Sequence, residues 1–389
     1  MSWLSNRAAI VGVGQTEFSK NSGRSTLRMA LETIMEALDD AGLRPSDIDG
    51  VVKMASNREI EETDIARALG LRNLRFFGEI DYGGGAGSAT VGHAATAVAA
   101  GQADVVVTFR SLNERSERRF GESTASGGTA GWRAYYIPIG LVTPAQWMAI
   151  FGRRYLHEFD HDTDAFGMVT VLSRRNAATN PHAMMYGRPI TIEDHRNAEW
   201  IAEPLRLLDC CLDTDGASCA IVASADVAKR STGTPVWIRA ATQGMGGNPE
   251  TMTSWQRSSL THLEEHEAAA RDLYRAAGVG PDDIDVLLIY DHFTPMVLMT
   301  LEAYGFAARG RAPDRFREGF FDLDGAKPLN PMGGHLGEGY LHGFGHIVEA
   351  VRQLRGTAHN QVRTRHPRTA LVASAGGVPT GSLVLSTAA

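Results

Sequence analysis

Residues 31–54 read LETIMEALDDAGLRPSDIDGVVKM, and residues 267–290 read EAAARDLYRAAGVGPDDIDVLLIY. At a constant offset Pro45 aligns with Pro281, Asp47 with Asp283, Ile48 with Ile284 and Asp49 with Asp285. Each copy carries the apolar period of an amphipathic helix and then Ala-Gly (Ala41-Gly42, Ala277-Gly278), where glycine supplies a left-handed C-cap. A Pro-x-Asp turn follows, then an apolar run of strand length. A single copy is a common helix–strand signal. Two copies this far apart predict a fold built from two similar halves.

Working outward, Ala8 to Gly12, Val51 to Met54, Asp104 to Phe109 and Ala220 to Ala223 read as buried strands of the first half. Val236 to Ala240, Val286 to Tyr290, Ala370 to Ala373 and Leu383 to Leu385 read as those of the second. Helical patterns at Thr26–Ala41, Gly87–Gly101, His262–Ala277 and Gly343–Leu354 alternate with them, which predicts mostly parallel sheets covered by helices. The expected division is an N-terminal half, 1–232, and a C-terminal half, 233–389. An irregular insertion rich in Gly, Arg and Trp lies within the first half, at about 114–206. Structureless stretches that long are usually functional.

The 389 residues are 43% apolar and 21% charged, which excludes a disordered or membrane-embedded chain, and the apolar runs fall far short of a bilayer span. A net charge of −7 argues against general nucleic-acid binding. The start, MSWLSNRAAIVGVG, runs directly into a strand pattern without a signal-peptide design, so the expected location is cytoplasmic. The cysteines, Cys210, Cys211 and Cys219, form no CxxC pair, so neither a disulfide framework nor a zinc ribbon is expected.

Three glycine-rich turns carry the candidate chemistry. Asn330 to His346 reads NPMGGHLGEGYLHGFGH, a glycine turn running into a helix, with Tyr340 as its phenol. Asp81 to Ser88 reads DYGGGAGS, and Ala373 to Leu383 reads ASAGGVPTGSL. Ile289 to Pro295, IYDHFTP, follows a predicted strand, where ligands of α/β folds gather. Taken alone, Tyr290 there reads as a packing residue, and the turns read as helix caps or a tightened core.

Together these segments resemble the thiolase superfamily, in particular its sterol-carrier-protein-type branch. That branch carries Asn-Pro-Ser-Gly-Gly, then Gly-His-Pro and Gly-Ala-Thr-Gly; Asn330, Pro331, Gly333, Gly334, Gly339 and Gly343 hold the pattern, and Tyr340 replaces the histidine. Ile201 to Ser224, IAEPLRLLDCCLDTDGASCAIVAS, is similar to a further segment of the branch. The resemblance implies an α/β thiolase-like fold of two βαβαβαββ halves in a layered arrangement with an inserted loop domain. Aligned on Ala99 to Asp104, Gly84 (within one residue) stands at the nucleophilic cysteine. Ser374 stands at the second catalytic cysteine, and Tyr290 replaces the histidine of His-Asp-x-Phe. Without a thiolate there is no acyl-enzyme.

This double-tyrosine, cysteine-free pattern is similar to the steroid side-chain-cleaving aldolases of the superfamily. The resemblance implies retro-aldol cleavage of a 17-hydroxy steroid coenzyme A thioester into a 17-ketosteroid and propionyl-CoA. It also implies catalytic roles for Tyr290 and Tyr340, with Gly84, Gly376 and Gly377 bordering the reacting carbonyl and Ser374 doing little. The chemistry requires one phenol to ionise well below its usual pKa of about 10. Coenzyme A enters as part of the substrate, with no tightly bound cofactor and no metal in this chain. The implied assembly is a central homodimer carrying DUF35 partners (zinc ribbon plus OB-fold) as a heterotetramer. A non-catalytic acyl-CoA carrier or scaffold is the alternative.

Other motifs are read as decoys. His157 to His161, HEFDH, is a literal HExxH at a helix end without a third ligand, and Gly12-Val13-Gly14 reads as a tight strand turn. Arg110 to Arg119, RSLNERSERR, reads as a solvated surface or as a patch for coenzyme A phosphates or a partner. Cys210 and Cys211 read as small buried apolar groups.

Overall fold

The protein is described here by a computed structural model covering residues 4–55, 60–81, 83–117, 119, 131, 133–363, 366–374 and 379–388. The repeat noted in the sequence is a structural repeat. Helix Thr26–Ala41 ends on Gly42 at φ 68°, and helix Glu264–Ala277 ends on Gly278 at φ 66°. The turns Pro45–Asp47 and Pro281–Asp283 are closed by one device: Asp47 accepts the Arg44 amide and Asp283 the Gly280 amide, both at 2.8 Å. The next aspartate of each copy then fixes a neighbouring strand. Asp49 accepts the amides of Asp104 and Val105, and Asp285 those of Arg368 and Thr369, all within 3.0 Å.

The strands are β1 (Ala8–Gln15), β2 (Gly50–Met54), β3 (Phe76–Ile80), β4 (Val105–Asn113), β5 (Trp200–Ala202), β6 (Leu205–Arg206), β7 (Asp215–Ser224), β8 (Val236–Gly244), β9 (Val286–Ile289), β10 (Thr369–Ser374) and β11 (Thr380–Ser386). Among the described residues, nine of them form one sheet in the order β3-β2-β4-β7-β1-β8-β11-β10-β9, while β5 and β6 make a separate hairpin. The order 1-7-4-2 on one side of the β1·β8 junction is answered by 8-11-10-9 on the other. The expectation of mostly parallel sheets is corrected. Only β2·β3, β2·β4 and β9·β10 are parallel, whereas β1·β7, β1·β8, β4·β7, β8·β11 and β10·β11 are antiparallel. The parallel neighbours β2·β4 and β9·β10 are joined across helices Ala86–Ala99 and Phe344–Arg355, and the returning strands β7 and β11 then pair antiparallel.

Alternate residues serve opposite faces of the sheet. Val11, Val51, Val107 and Ile221 pack against Ile34 and Leu38 of helix Thr26–Ala41. Ile10, Val52, Val106, Val222, Leu288 and Leu383 pack on the other face with Val91, Phe344, Ile347 and Val351. Gly12 and Gly14 lie inside β1 beneath helix Thr26–Ala41, so the reading of a turn there is corrected. The insertion is also more regular than its composition suggests. Helices Pro144–Phe159, Asp164–Ala178 and Ile192–Asn197 run through it, the first started by a Thr143–Gln146 capping box with proline in the first turn. Trp147, Tyr155, Phe166 and Leu172 from these helices join the core around Met296, Leu298 and Phe321. The HEFDH segment closes the first of them at Asp160, as read from the sequence. No helix among the described residues is long and apolar enough to cross a membrane.

Candidate active site

The carboxyl end of β9 delivers Tyr290. Asn330 pairs its side-chain amide with the Ile289 backbone, accepting the N–H at 2.9 Å and donating to the carbonyl at 2.8 Å, while the Tyr290 amide reaches Ala373 of β10 at 3.0 Å. Asp291 turns into the glycine turn. It accepts the amides of His335 and Leu336 at 2.8 and 3.2 Å, a negative charge at the start of the short helix Gly334–Gly337, and meets His346 Nε2 at 3.1 Å. This close approach requires Gly334: a Cβ there would lie 2.1 Å from Asp291 Oδ2, and the backbone is at φ +61°.

Tyr340 is held by Thr214, whose hydroxyl accepts the Tyr340 amide at 2.8 Å and donates to its carbonyl at 3.2 Å. Gly343, at φ +86°, donates to His335 Nε2 at 3.2 Å, and a Cβ there would press on the Tyr290 ring at 3.2 Å. The outcome is a phenol pair. The hydroxyls of Tyr290 and Tyr340 are 2.9 Å apart, their residues 2% and 6% exposed, with the His335 ring edge-on to both at 4.7 and 4.8 Å.

Neither phenol of the pair carries a charge near neutral pH. Burial pushes both phenols well above their ordinary pKa of 10; at Tyr290 the hydrogen bond shared with Tyr340 works against this, while Cys211, Glu114 and Asp291 reinforce it. The expectation that one phenol ionises below 10 is therefore overturned, because desolvation dominates and nearby acidic groups add to it. Burial likewise holds His335 and His342 well below the ordinary 6.5 and brings His292 down to about 3.

A cavity of about 390 Å³ brings Gly84, Tyr290, Tyr340, His292, His342, Glu114 and Arg119 together, with an apolar wall that includes Pro144, Ile201, Leu207, Met252 and Phe293. Gly84, in the turn Gly83–Gly85 before helix Ala86–Ala99, thus faces the same space as both phenols. Gly376 and Gly377 lie outside the described residues. Ser374 is tied to that helix: its hydroxyl accepts the Ser88 amide at 3.3 Å and donates to Ser88 Oγ at 3.0 Å. Cys210 and Cys211 also line the cavity, where burial raises both thiols, Cys211 most strongly. Arg110, read as part of a solvated surface or a patch for coenzyme A phosphates or a partner, is buried within β4 with Nε 3.4 Å from His342 Nδ1. Arg119 pairs with Asp213 at the cavity instead. The ligand atoms of Asp291, His335 and His346 fall within 4.8 Å of one another, a cluster able to hold a cation, although the hydrogen bonds above already account for Asp291 and His335 Nε2.

Family models for the thiolase N-terminal domain and for a thiolase C-terminal domain-like unit match residues 8–226 and 246–387. The chain belongs to the thiolase family. Among thiolase relatives it is 47% identical to the steroid side-chain-cleaving aldolase of Thermomonospora curvata, over 99% of both chains. It is 48% identical to the 17-hydroxy-3-oxo-4-pregnene-20-carboxyl-CoA lyase of Mycobacterium tuberculosis, over 98% of this chain and all of that one. The solved Ltp2–ChsH2(DUF35) aldolase superposes with a TM-score of 0.93 at 47% identity over 99% of each chain. Sequence reading singled out Tyr290, Tyr340 and Gly84, but it missed His292, His342 and Glu114. The alternation of an extended segment, which puts residues 290 and 292 on one side, was the available signal for His292.

Proposed function

We propose that this thiolase-family protein is a carbon–carbon lyase that cleaves a 17-hydroxy steroid bearing a C20-carboxyl-CoA side chain into a 17-ketosteroid and propionyl-CoA. The observation that carries the reading is the phenol pair, joined hydroxyl to hydroxyl at 2.9 Å in a cavity that also holds Gly84. The similarity to two relatives named for this chemistry supports it. Tyr290 takes the proton of the substrate hydroxyl while its own phenolic proton passes to Tyr340, which delivers its proton to the departing carbon. The O–H electrons become the new carbonyl, and the broken C–C pair becomes the thioester enolate that Tyr340 protonates. Neither phenol has to become a free phenolate, so the raised pKa values favour this relay over an ionised base. Gly84, with Gly376 and Gly377, is assigned to the thioester oxygen as backbone N–H donors.

We further infer a homodimer bearing DUF35 partners as a heterotetramer, working in the cytoplasm, with coenzyme A only as part of the substrate. The similarity to the Ltp2–ChsH2(DUF35) aldolase favours that partner. The two halves divide at 232/233 in this proposal, with 114–206 inserted in the first. The experiment is turnover of the thioester by the purified chain with and without a DUF35 protein. Equal yields of ketosteroid and propionyl-CoA support the lyase, whereas tight thioester binding without cleavage replaces it with a carrier.

A further inference from the structure

His292 follows Tyr290 by two residues and its ring leans on the Tyr290 ring, centroids 4.9 Å apart at 57°. The residue is 3% exposed and lines the catalytic cavity, yet neither Nδ1 nor Nε2 has a hydrogen-bond partner among the described residues. Its backbone is fixed: the carbonyl accepts the Cys211 amide at 2.8 Å, and Phe293 packs on the ring at 4.8 Å. A buried polar group without a partner is costly, and such groups in native proteins call for an explanation. His335 touches both phenol rings and His342 that of Tyr340, whereas His292 lies against Tyr290.

We propose that His292 is a further catalytic residue, turning about its side-chain bonds to donate one ring N–H to the carbinol oxygen whose proton Tyr290 accepts. This rests on the lyase reading. Burial keeps the ring uncharged, with a pKa of about 3, so it acts as a fixed neutral donor and not as the base. Its hydrogen bond makes the hydroxyl more acidic as the proton leaves, then holds the oxygen of the new ketone. No proton is gained or lost by His292 in the cycle.

The test compares the full chain, purified with its DUF35 partner, with His292→Leu and His292→Gln variants. His292→Leu is expected to lower kcat by about 10²-fold, the usual loss for one aimed donor, while KM changes less than threefold. His292→Gln, which keeps a neutral N–H, recovers at least about tenfold of that loss. Affinity for the 17-deoxy thioester, which lacks the oxygen, is the same in wild type and His292→Leu. A His292→Leu kcat within threefold of wild type overturns the assignment, as does equal weakening of the deoxy ligand, which marks a packing role. A second arm needs no catalytic variant: in wild type labelled with 15N-histidine, the His292 ring signals move with a 17-ketosteroid and not with the same steroid lacking that oxygen. Equal shifts with both steroids overturn the proposal even if His292→Leu does not fold. If wild type fails to cleave the thioester, the lyase reading falls separately, and the spectra still report whether His292 contacts the oxygen.

Discussion

Removing the hydroxyls of the phenol pair singly and together should give non-additive losses in both catalysis and stability. Tyr340→Phe leaves the Tyr290 hydroxyl buried opposite a ring edge, with its 2.9 Å partner gone. An unsatisfied buried hydroxyl costs about 1–3 kcal/mol, so Tyr340→Phe is expected to melt about 1–4 °C below wild type. The double variant Tyr290→Phe/Tyr340→Phe replaces both partners with apolar groups and should be less destabilised than the sum of the singles. In turnover each single loses about 10²–10⁴-fold, the ordinary value of one proton transfer. Because the pair works as one relay, the double variant should be no more than about tenfold worse than the poorer single. The assay is chromatographic quantification of propionyl-CoA and ketosteroid, alongside thermal melts of the same preparations. Single-variant losses below tenfold would show that neither phenol moves the proton, and multiplicative losses in the double would refute the relay.

The cavity contains no readily ionised thiol, since burial raises Cys210 and Cys211; intact mass after incubation with acyl-CoA should show no adduct, and iodoacetamide should leave turnover nearly unchanged. Burial and the neighbouring Glu349 raise Glu338 to about 8, so this carboxyl gives up stability as pH rises from about 4.5 to 8, where only the unfolded chain ionises it freely. Glu338→Gln should therefore raise the Tm relative to wild type at pH 8 and lose that advantage near pH 5, as melts across the range will record. Gly334→Ala places a Cβ 2.1 Å from Asp291 Oδ2 at φ +61° and should lower the Tm by about 5 °C, or prevent soluble expression, while removing turnover.

The duplicated helix–turn–strand unit was readable because its turn chemistry is local: Pro45, Asp47 and Gly42 specify their turn and cap from within a few residues, as Pro281, Asp283 and Gly278 do. Strand direction was not, because it depends on where a connection returns, although the short link from Ser374 to Thr380 is too brief for a crossover and already implies an antiparallel β10·β11 pair. The helices of the insertion were obscured by its polar, Gly- and Arg-rich composition. The Thr143–Gln146 cap followed by Trp147, Phe151 and Tyr155 was the overlooked cue. At the site, resemblance separated Tyr290 and Tyr340 from ordinary packing tyrosines. Their mutual hydrogen bond joins positions fifty residues apart, and it depends on Asn330, Asp291 and Thr214 setting two backbones side by side. Their raised pKa values are likewise a property of the assembled centre, set by burial and by Cys211 and Glu114 from distant parts of the chain.

The central claim is that this phenol pair breaks a carbon–carbon bond without a covalent intermediate. The most direct measurement follows the purified chain, with its DUF35 partner, acting on a 17-hydroxy steroid C20-carboxyl-CoA thioester in deuterated water by mass spectrometry. The account predicts equal amounts of 17-ketosteroid and propionyl-CoA, with a single deuterium at the propionyl α-carbon and no acylated protein at any time. Free coenzyme A with an intact steroid acid, an acyl-protein adduct, or unchanged thioester would contradict it.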